Sequence, residues 1–108
     1  MKLLIILCIE EMRETVAHLL HDAGVDCMGV TSFTGYRKSP HCSALGWFGR
    51  GSACEHASSL LMFTFTEELL AQKAIDLIDA YNAAHVSHFP LRGYVLEVSQ
   101  FTKLMQQV

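Results

Sequence analysis

The order of strand-like and helix-like segments constrains the fold of this chain more than any other feature of its sequence. The continuous apolar run Leu3–Ile9 predicts a strand that is buried on both faces. Helical spacing of apolar residues predicts a helix over Glu11–Ala23, which Gly24 ends. The β-branched and aromatic residues of Val25–Tyr36 then predict a second strand.

The rest of the chain predicts a strand, a helix and a final strand. Aromatic residues alternate with threonines within Leu60–Thr66, which predicts a third strand with one buried face. The acidic pair Glu67–Glu68 suits the first turn of a helix, and apolar spacing continues that helix to about Ala84. A last strand is predicted over about Arg92–Ser99, and residues 101–108 have weak helical character.

The resulting order βαββαβ, in a chain of 108 residues, indicates the ferredoxin-like fold as one domain over residues 1–108. This α+β fold is a sandwich in which two helices cover one face of a four-stranded antiparallel sheet. Hydrophobic residues make up 51% of the chain and charged residues 18%, so apolar surface is abundant. Because two helices cover only one face of the sheet, we expect copies of the protein to associate through the other face.

A segment of 23 residues, Arg37–Ser59, separates the second strand from the third. It is rich in Gly, Ser and Cys, and so long a connection in a compact domain is usually functional or disordered. We therefore predict a long mobile loop over residues 37–59, and we expect much of the function to lie there.

The charge pattern excludes one class of partner. The formal net charge is −3, from 8 basic and 11 acidic residues, and the basic residues are scattered. Without a basic stripe, non-specific nucleic-acid binding is not expected.

The apolar run at the start is too short for a signal segment, and no stretch approaches the roughly 18 apolar residues of a membrane span. We expect a cytoplasmic protein with its cysteines as thiols, Cys8 and Cys27 being buried in strands.

Three segments resemble those of PII signalling proteins and their PII-like relatives. Met28–Arg37 resembles the second strand of that family, where a Met- and Thr-rich strand leads through Gly and an aromatic residue to a basic one. Arg92–Val98 is similar to the last strand, and Thr66-Glu67-Glu68 to the start of the second helix. The chain departs from the family in two places: His88–Arg92 replaces a Gly-Asp-Gly-Lys segment, and the Arg-Thr-Gly-Glu tail motif is absent. The resemblance therefore indicates a divergent PII-like protein.

The resemblance implies a homotrimer that binds a small effector, an adenine nucleotide among the candidates, in clefts between subunits. It also implies that the long loop signals to a protein target such as a transporter or an enzyme. By position in the family pattern, Arg92 replaces the basic residue that reaches the nucleotide phosphates, and His88 faces the cleft. The base of the loop would complete the effector site with Gly35, Tyr36, Arg37 and Lys38.

The loop also contains a candidate metal site. If Gly46–Gly51 forms the tip of a hairpin, Cys42 lies opposite Cys54 and His41 opposite His56. Thiolate and imidazole together suit Zn²⁺ or copper. A redox-active pair of the two cysteines and ordinary loop residues are the alternatives. A second histidine pair, His85 and His88, follows the second helix, and helix C-termini favour histidine for electrostatic reasons alone.

Two large aromatic residues lie at the predicted tip of the loop. Trp47 and Phe48 are flanked by glycines and followed by Arg50, a combination that suits docking on a protein partner. The alternative is that the aromatic rings pack back on the sheet or on the next subunit. No nucleophile motif and no phosphate-binding Gly-Lys-Ser/Thr element is present, so a non-enzymatic regulator is expected. A small ferredoxin-like enzyme is the remaining alternative.

Overall fold

A computed structural model of the chain describes residues 1–33 and 59–103. These residues form four strands, one 3₁₀ turn and two α-helices. In chain order, the elements are β1 (Lys2–Ile9), the 3₁₀ turn (Glu10–Met12), α1 (Arg13–Asp22), β2 (Gly29–Phe33), β3 (Ser59–Thr66), α2 (Glu68–Ala84) and β4 (Arg92–Glu97).

The four strands form one sheet in the order β2-β3-β1-β4, and all three neighbouring pairs are antiparallel. This order confirms the predicted ferredoxin-like fold. The long apolar strand β1 lies in the interior of the sheet, as its continuous hydrophobicity requires. It pairs with β3 from Lys2↔Thr66 to Ile9↔Ser59 and with β4 from Lys2↔Glu97 to Leu7↔Arg92.

The core lies between the sheet and the two helices. Alternate residues of β1 point toward the helices because successive side chains of a strand project from opposite faces. These residues, together with the inward stripes of α1 and α2, are 3% exposed or less: Leu4, Ile6, Cys8, Val16, Leu20, Ala74 and Ile78. The predicted helix stripes are therefore confirmed, and His18 and His21 lie exposed on the outer side of α1.

The second strand begins later than predicted. Its first four predicted residues, Val25–Met28, are not in a strand. The reason is the end of α1: Gly24 takes a φ of 100°, and the Val25 N–H donates to the Leu20 carbonyl oxygen at 2.8 Å. The backbone at the start of this segment is thus engaged with the helix end, and the Cys27 carbonyl oxygen accepts from the Thr64 side chain at 2.8 Å rather than from a neighbouring strand backbone. The prediction that Cys27 is buried in a strand is wrong, because Cys27 is exposed.

Two other boundaries differ from the sequence prediction. The α-helical part of the first helix begins at Arg13, since Glu10–Met12 forms a 3₁₀ turn. The last strand ends at Glu97 rather than Ser99. The Lys2 ammonium pairs with the Glu97 carboxylate at that end, where β1 begins and β4 ends. Within the described ranges, no helix is both long enough and apolar enough to cross a membrane.

Candidate functional site

Arg92 borders a cleft between the edge strand β4 and α2, and its pairing with Leu7 places its side chain on the same side of the sheet as Tyr94. It is the first residue of β4, and the cleft has a volume of about 180 Å³. Its polar walls come from Asp79 and Asn82, which are three positions apart on α2 and therefore share one face of that helix. The remaining wall is formed by Ile75, Ile78, Leu91, Gly93 and Tyr94. The cleft thus combines a cation, a carboxylate and a carboxamide on an apolar floor.

The guanidinium of Arg92 carries a buried N–H without a hydrogen-bond partner. Its Nε is buried and contacts no acceptor among the residues that the structure describes. A buried N–H that finds no acceptor is costly, so we expect the Arg92 Nε–H to be satisfied by a group outside the described residues. Arg also presents several donors on one planar group, which suits phosphate and carboxylate oxygens. Arg92 is therefore the candidate anion-binding residue of the cleft.

The two histidines after α2 lie outside this cleft. The His85 ring stacks on the Tyr81 ring, with centroids 4.1 Å apart and an interplanar angle of 15°. Its Nδ1 is 3.1 Å from the Tyr81 carbonyl oxygen, and because a carbonyl can only accept, Nδ1 carries the proton. His88 is exposed and lines neither the Arg92 cleft nor the cavity next to it. Within this chain alone, the structure does not bring His88 and Arg92 together.

A smaller cavity of about 100 Å³ lies behind the loop that leads into β4. Ile9 and Met12 line it from one side, and Tyr81, His85, Phe89 and Pro90 from the other, together with Asn82, Ser87 and Leu91. Asn82 and Leu91 therefore stand between this cavity and the Arg92 cleft. Sequence analysis missed Asn82 and Asp79. The one signal in the sequence is that both lie on the α2 face that carries Ile75 and Ile78.

The remaining predicted site residues lie outside the described residues. This holds for the predicted base of the loop, the predicted metal ligands and the predicted docking residues: Gly35, Tyr36, Arg37, Lys38, His41, Cys42, Cys54, His56, Trp47, Phe48 and Arg50. Their roles stay predictions. Over residues 1–33 and 59–103, no group of three or more His, Cys, Asp or Glu side chains could hold a metal ion.

The face of the sheet opposite the helices is apolar and uncovered within the described chain. Across it, Leu3 of β1 pairs with Phe65 of β3 and with Leu96 of β4, and Ile5 pairs with Phe63 and Tyr94. Directly paired residues project from the same face, so these side chains form one patch. Three of them keep large exposed fractions: Phe65 56%, Leu96 47% and Tyr94 42%. We call this patch, formed by Leu3, Ile5, Phe63, Phe65, Tyr94 and Leu96, the open face.

Comparison with known proteins supports the fold. No family model and no curated protein matches the chain. Among solved structures, the chain is similar to a protein from Thermus thermophilus assigned as a PII-like signalling protein. The TM-score is 0.59 at 16% sequence identity, over 87% of this chain and 82% of that one. The chain therefore has the fold of a PII-like protein, as the resemblance of its sequence motifs predicted.

Proposed function

We propose that this chain is a PII-like regulatory protein that binds a small effector between subunits and signals to a protein partner. The observation that carries the proposal is the open face. The uncovered sheet face of this ferredoxin-like domain carries a large apolar patch. Association of copies of the chain would bury that patch. Association of copies through this face is the arrangement that the family resemblance implies.

The proposed assembly is a homotrimer in which the three open faces pack together. Fully burying a large apolar side chain contributes roughly 1.5–3 kcal/mol. Phe65, Tyr94 and Leu96 keep 56%, 42% and 47% of their surface exposed in the single chain, so each would gain part of that amount on association. Because every subunit contributes the same set, the gain is repeated at each contact.

The proposed effector is an anionic small molecule, with adenine nucleotides among the candidate classes. Arg92 binds its phosphate groups, since the guanidinium presents several donors on one planar group. The cleft of one chain holds about 180 Å³, whereas ligand pockets usually have about 300–1,000 Å³. A single chain therefore supplies part of the site. In the proposal, a neighbouring subunit and the predicted loop base, residues 35–38, supply the remainder.

The proposed output is docking of residues 37–59 on a target such as a transporter or an enzyme. Trp47, Phe48 and Arg50 are the proposed docking residues, since aromatic residues and arginine commonly anchor protein interfaces. An effector can control such docking only if it binds one state of the regulator more tightly than the other. The signal is then a shift in the populations of the two states.

Calorimetric titration with ATP tests the proposed effector class and the role of Arg92. The wild-type protein is expected to bind ATP, and Arg92→Ala is expected to weaken binding by about tenfold or more, because a charge-assisted bond to phosphate is lost. Lys73→Ala removes an exposed cation on α2 outside the cleft and is expected to leave the affinity within about twofold. Equal losses in the two variants would contradict a specific role for Arg92.

The metal-binding alternative predicts a different result in the same instrument. Heat with Zn²⁺ and none with ATP would favour a module that uses His41, Cys42, Cys54 and His56. The double change Cys42→Ser, Cys54→Ser is then expected to abolish that heat, since thiolates bind Zn²⁺ and hydroxyls do so poorly. The regulator is the function proposed because the open face supports it.

A further inference from the structure

Asn82, in the last turn of α2, holds the backbone of Leu91 with both polar atoms of its carboxamide. Its Nδ2 donates to the Leu91 carbonyl oxygen at 2.9 Å, and its Oδ1 accepts from the Leu91 N–H at 3.0 Å. The Leu91 side chain is 2% exposed and belongs to the core. Residue 91 is thus fixed both through its backbone and through its side chain.

This pair of hydrogen bonds lies directly beside the candidate anion-binding residue. Arg92 follows Leu91, and the paired register of β1 and β4 ends at Leu7↔Arg92. Just before this pair, Asn82 ties the chain that leads into β4 to the body of the domain. Asn82 also lines the Arg92 cleft. The Asn82 carboxamide therefore holds the backbone of the residue that directly precedes Arg92.

We propose that Asn82 is a positioning residue of the effector site, which acts through Leu91 to place Arg92 for an anionic group. The identity of the bound anion rests on the proposed function, whereas the placing of Arg92 is a property of the free protein. Asparagine suits this role because one planar group offers a donor and an acceptor together. An ionised aspartate offers acceptors only and would face the Leu91 carbonyl oxygen, and alanine offers neither group.

The first test measures the free protein by NMR. Asn82→Ala and Asn82→Asp are compared with Gln72→Ala, which removes an exposed amide of the same helix whose Nε2 donates to Asp76 Oδ1 at 3.0 Å. In Asn82→Ala, which loses both hydrogen bonds, the Leu91 N–H is expected to exchange with solvent about tenfold faster or more, and in both Asn82 variants the Arg92 Nε–H signal is expected to shift. Gln72→Ala should change neither signal.

Folding of the variants is controlled by thermal unfolding of each protein. If Asn82→Ala does not fold, Asn82→Asp decides the result through the Arg92 Nε–H signal, because it keeps the acceptor for the Leu91 N–H and loses the donor to the Leu91 carbonyl oxygen. Unchanged Leu91 and Arg92 signals in a folded Asn82 variant would overturn the proposal, whatever the protein binds.

The second test uses ATP as the probe in calorimetry. Asn82→Ala is expected to weaken ATP binding about tenfold, and Gln72→Ala to leave it within about twofold. If Asn82 acts through Arg92, Asn82→Ala should change the affinity little in an Arg92→Ala background. The same loss in both backgrounds would overturn the proposal. If the wild-type protein binds no ATP, the proposed effector class fails, and the role of Asn82 is decided by the NMR signals alone.

Discussion

The two cysteines in the described part of the chain differ in the surroundings of their sulfur atoms. Cys8 of β1 is 0% exposed, and its Sγ lies 4.0 Å from Met62 Sδ within the core. Burial raises the pKa of the Cys8 thiol from its ordinary 9.0 to about 11, because the thiolate is poorly solvated in apolar surroundings. Cys27 is exposed between α1 and β2. The sequence predicted one environment for both residues, and the structure gives them two.

We predict that Cys8 and Cys27 alkylate at different rates in the native protein. In a Cys42→Ser, Cys54→Ser background, these two are the remaining cysteines of the four. With iodoacetamide near pH 8, Cys27 is expected to react much faster than Cys8, because Cys27 is exposed whereas burial shields Cys8 and its raised pKa leaves little of it as thiolate. Mass spectrometry of the time course measures both rates, and urea should make them equal. Two fast thiols in the native protein would contradict the buried position of Cys8.

The raised pKa of Cys8 also implies a pH dependence of stability. The folded protein holds this proton more tightly than the unfolded chain, so the stabilisation is fully present below about pH 9. As the pH rises toward 11, the unfolded chain loses the proton first and the free energy of unfolding falls. Cys8→Ala should remove this component of the alkaline decline, which urea titrations at several pH values can resolve.

At the scale of elements, the contact between β2 and β3 depends on a glycine opposite an aromatic ring. Gly29 pairs with Phe63, and a Cβ added to Gly29 would lie 2.5 Å from Phe63 Cζ and 2.6 Å from Cε1. These distances are well below van der Waals contact, so the ring lies over the backbone of residue 29. Gly29 is therefore needed for the close approach of the Phe63 ring rather than for an unusual backbone angle.

We predict that Gly29→Ala destabilises the protein by about 1–3 kcal/mol, since the Phe63 ring must move to admit the methyl group. In a Phe63→Leu background, where the ring is absent, the same change should cost clearly less. Urea unfolding at one fixed protein concentration measures the free energy of unfolding of all four proteins in the cycle. Equal costs in the two backgrounds would show that the Phe63 ring is not the obstacle.

The sequence predicted whole elements better than their ends and better than the site. A continuous apolar run identified β1, and apolar periodicity identified both helices, because burial on one face of a helix imposes that periodicity. The start of β2 was predicted too early because Val25 is as apolar as a strand residue. The hydrogen bond from the Val25 N–H to the end of α1 cannot be recognised from the sequence. Asn82 was missed for a similar reason. Its partner Leu91 lies nine residues away, and only the packed structure brings the two together.

At the scale of the whole molecule, the separation of two apolar surfaces is the main feature. One lies between sheet and helices and is complete within the chain, since Leu4, Ile6 and Leu20 are 1% exposed or less. The other is the open face, which the described chain leaves uncovered. Because alternate residues of β1 supply the two surfaces, a change on the open face can alter association while the inner core stays intact.

We predict that the wild-type protein is a trimer at micromolar concentration and that Phe65→Glu converts it to a folded monomer. Phe65 is 56% exposed at the open face, so a glutamate there is solvated in the single chain but would be desolvated without a partner in the assembly. Leu69→Glu is the matched control, because Leu69 is 76% exposed on α2 rather than on the sheet, and this variant should remain a trimer.

Sedimentation velocity gives the mass of each protein, and circular dichroism shows whether it is folded. A wild-type protein that sediments as a monomer would leave the Arg92 cleft without its second wall and would contradict the proposed regulator. Trimeric Phe65→Glu would instead show that the copies associate through a different surface.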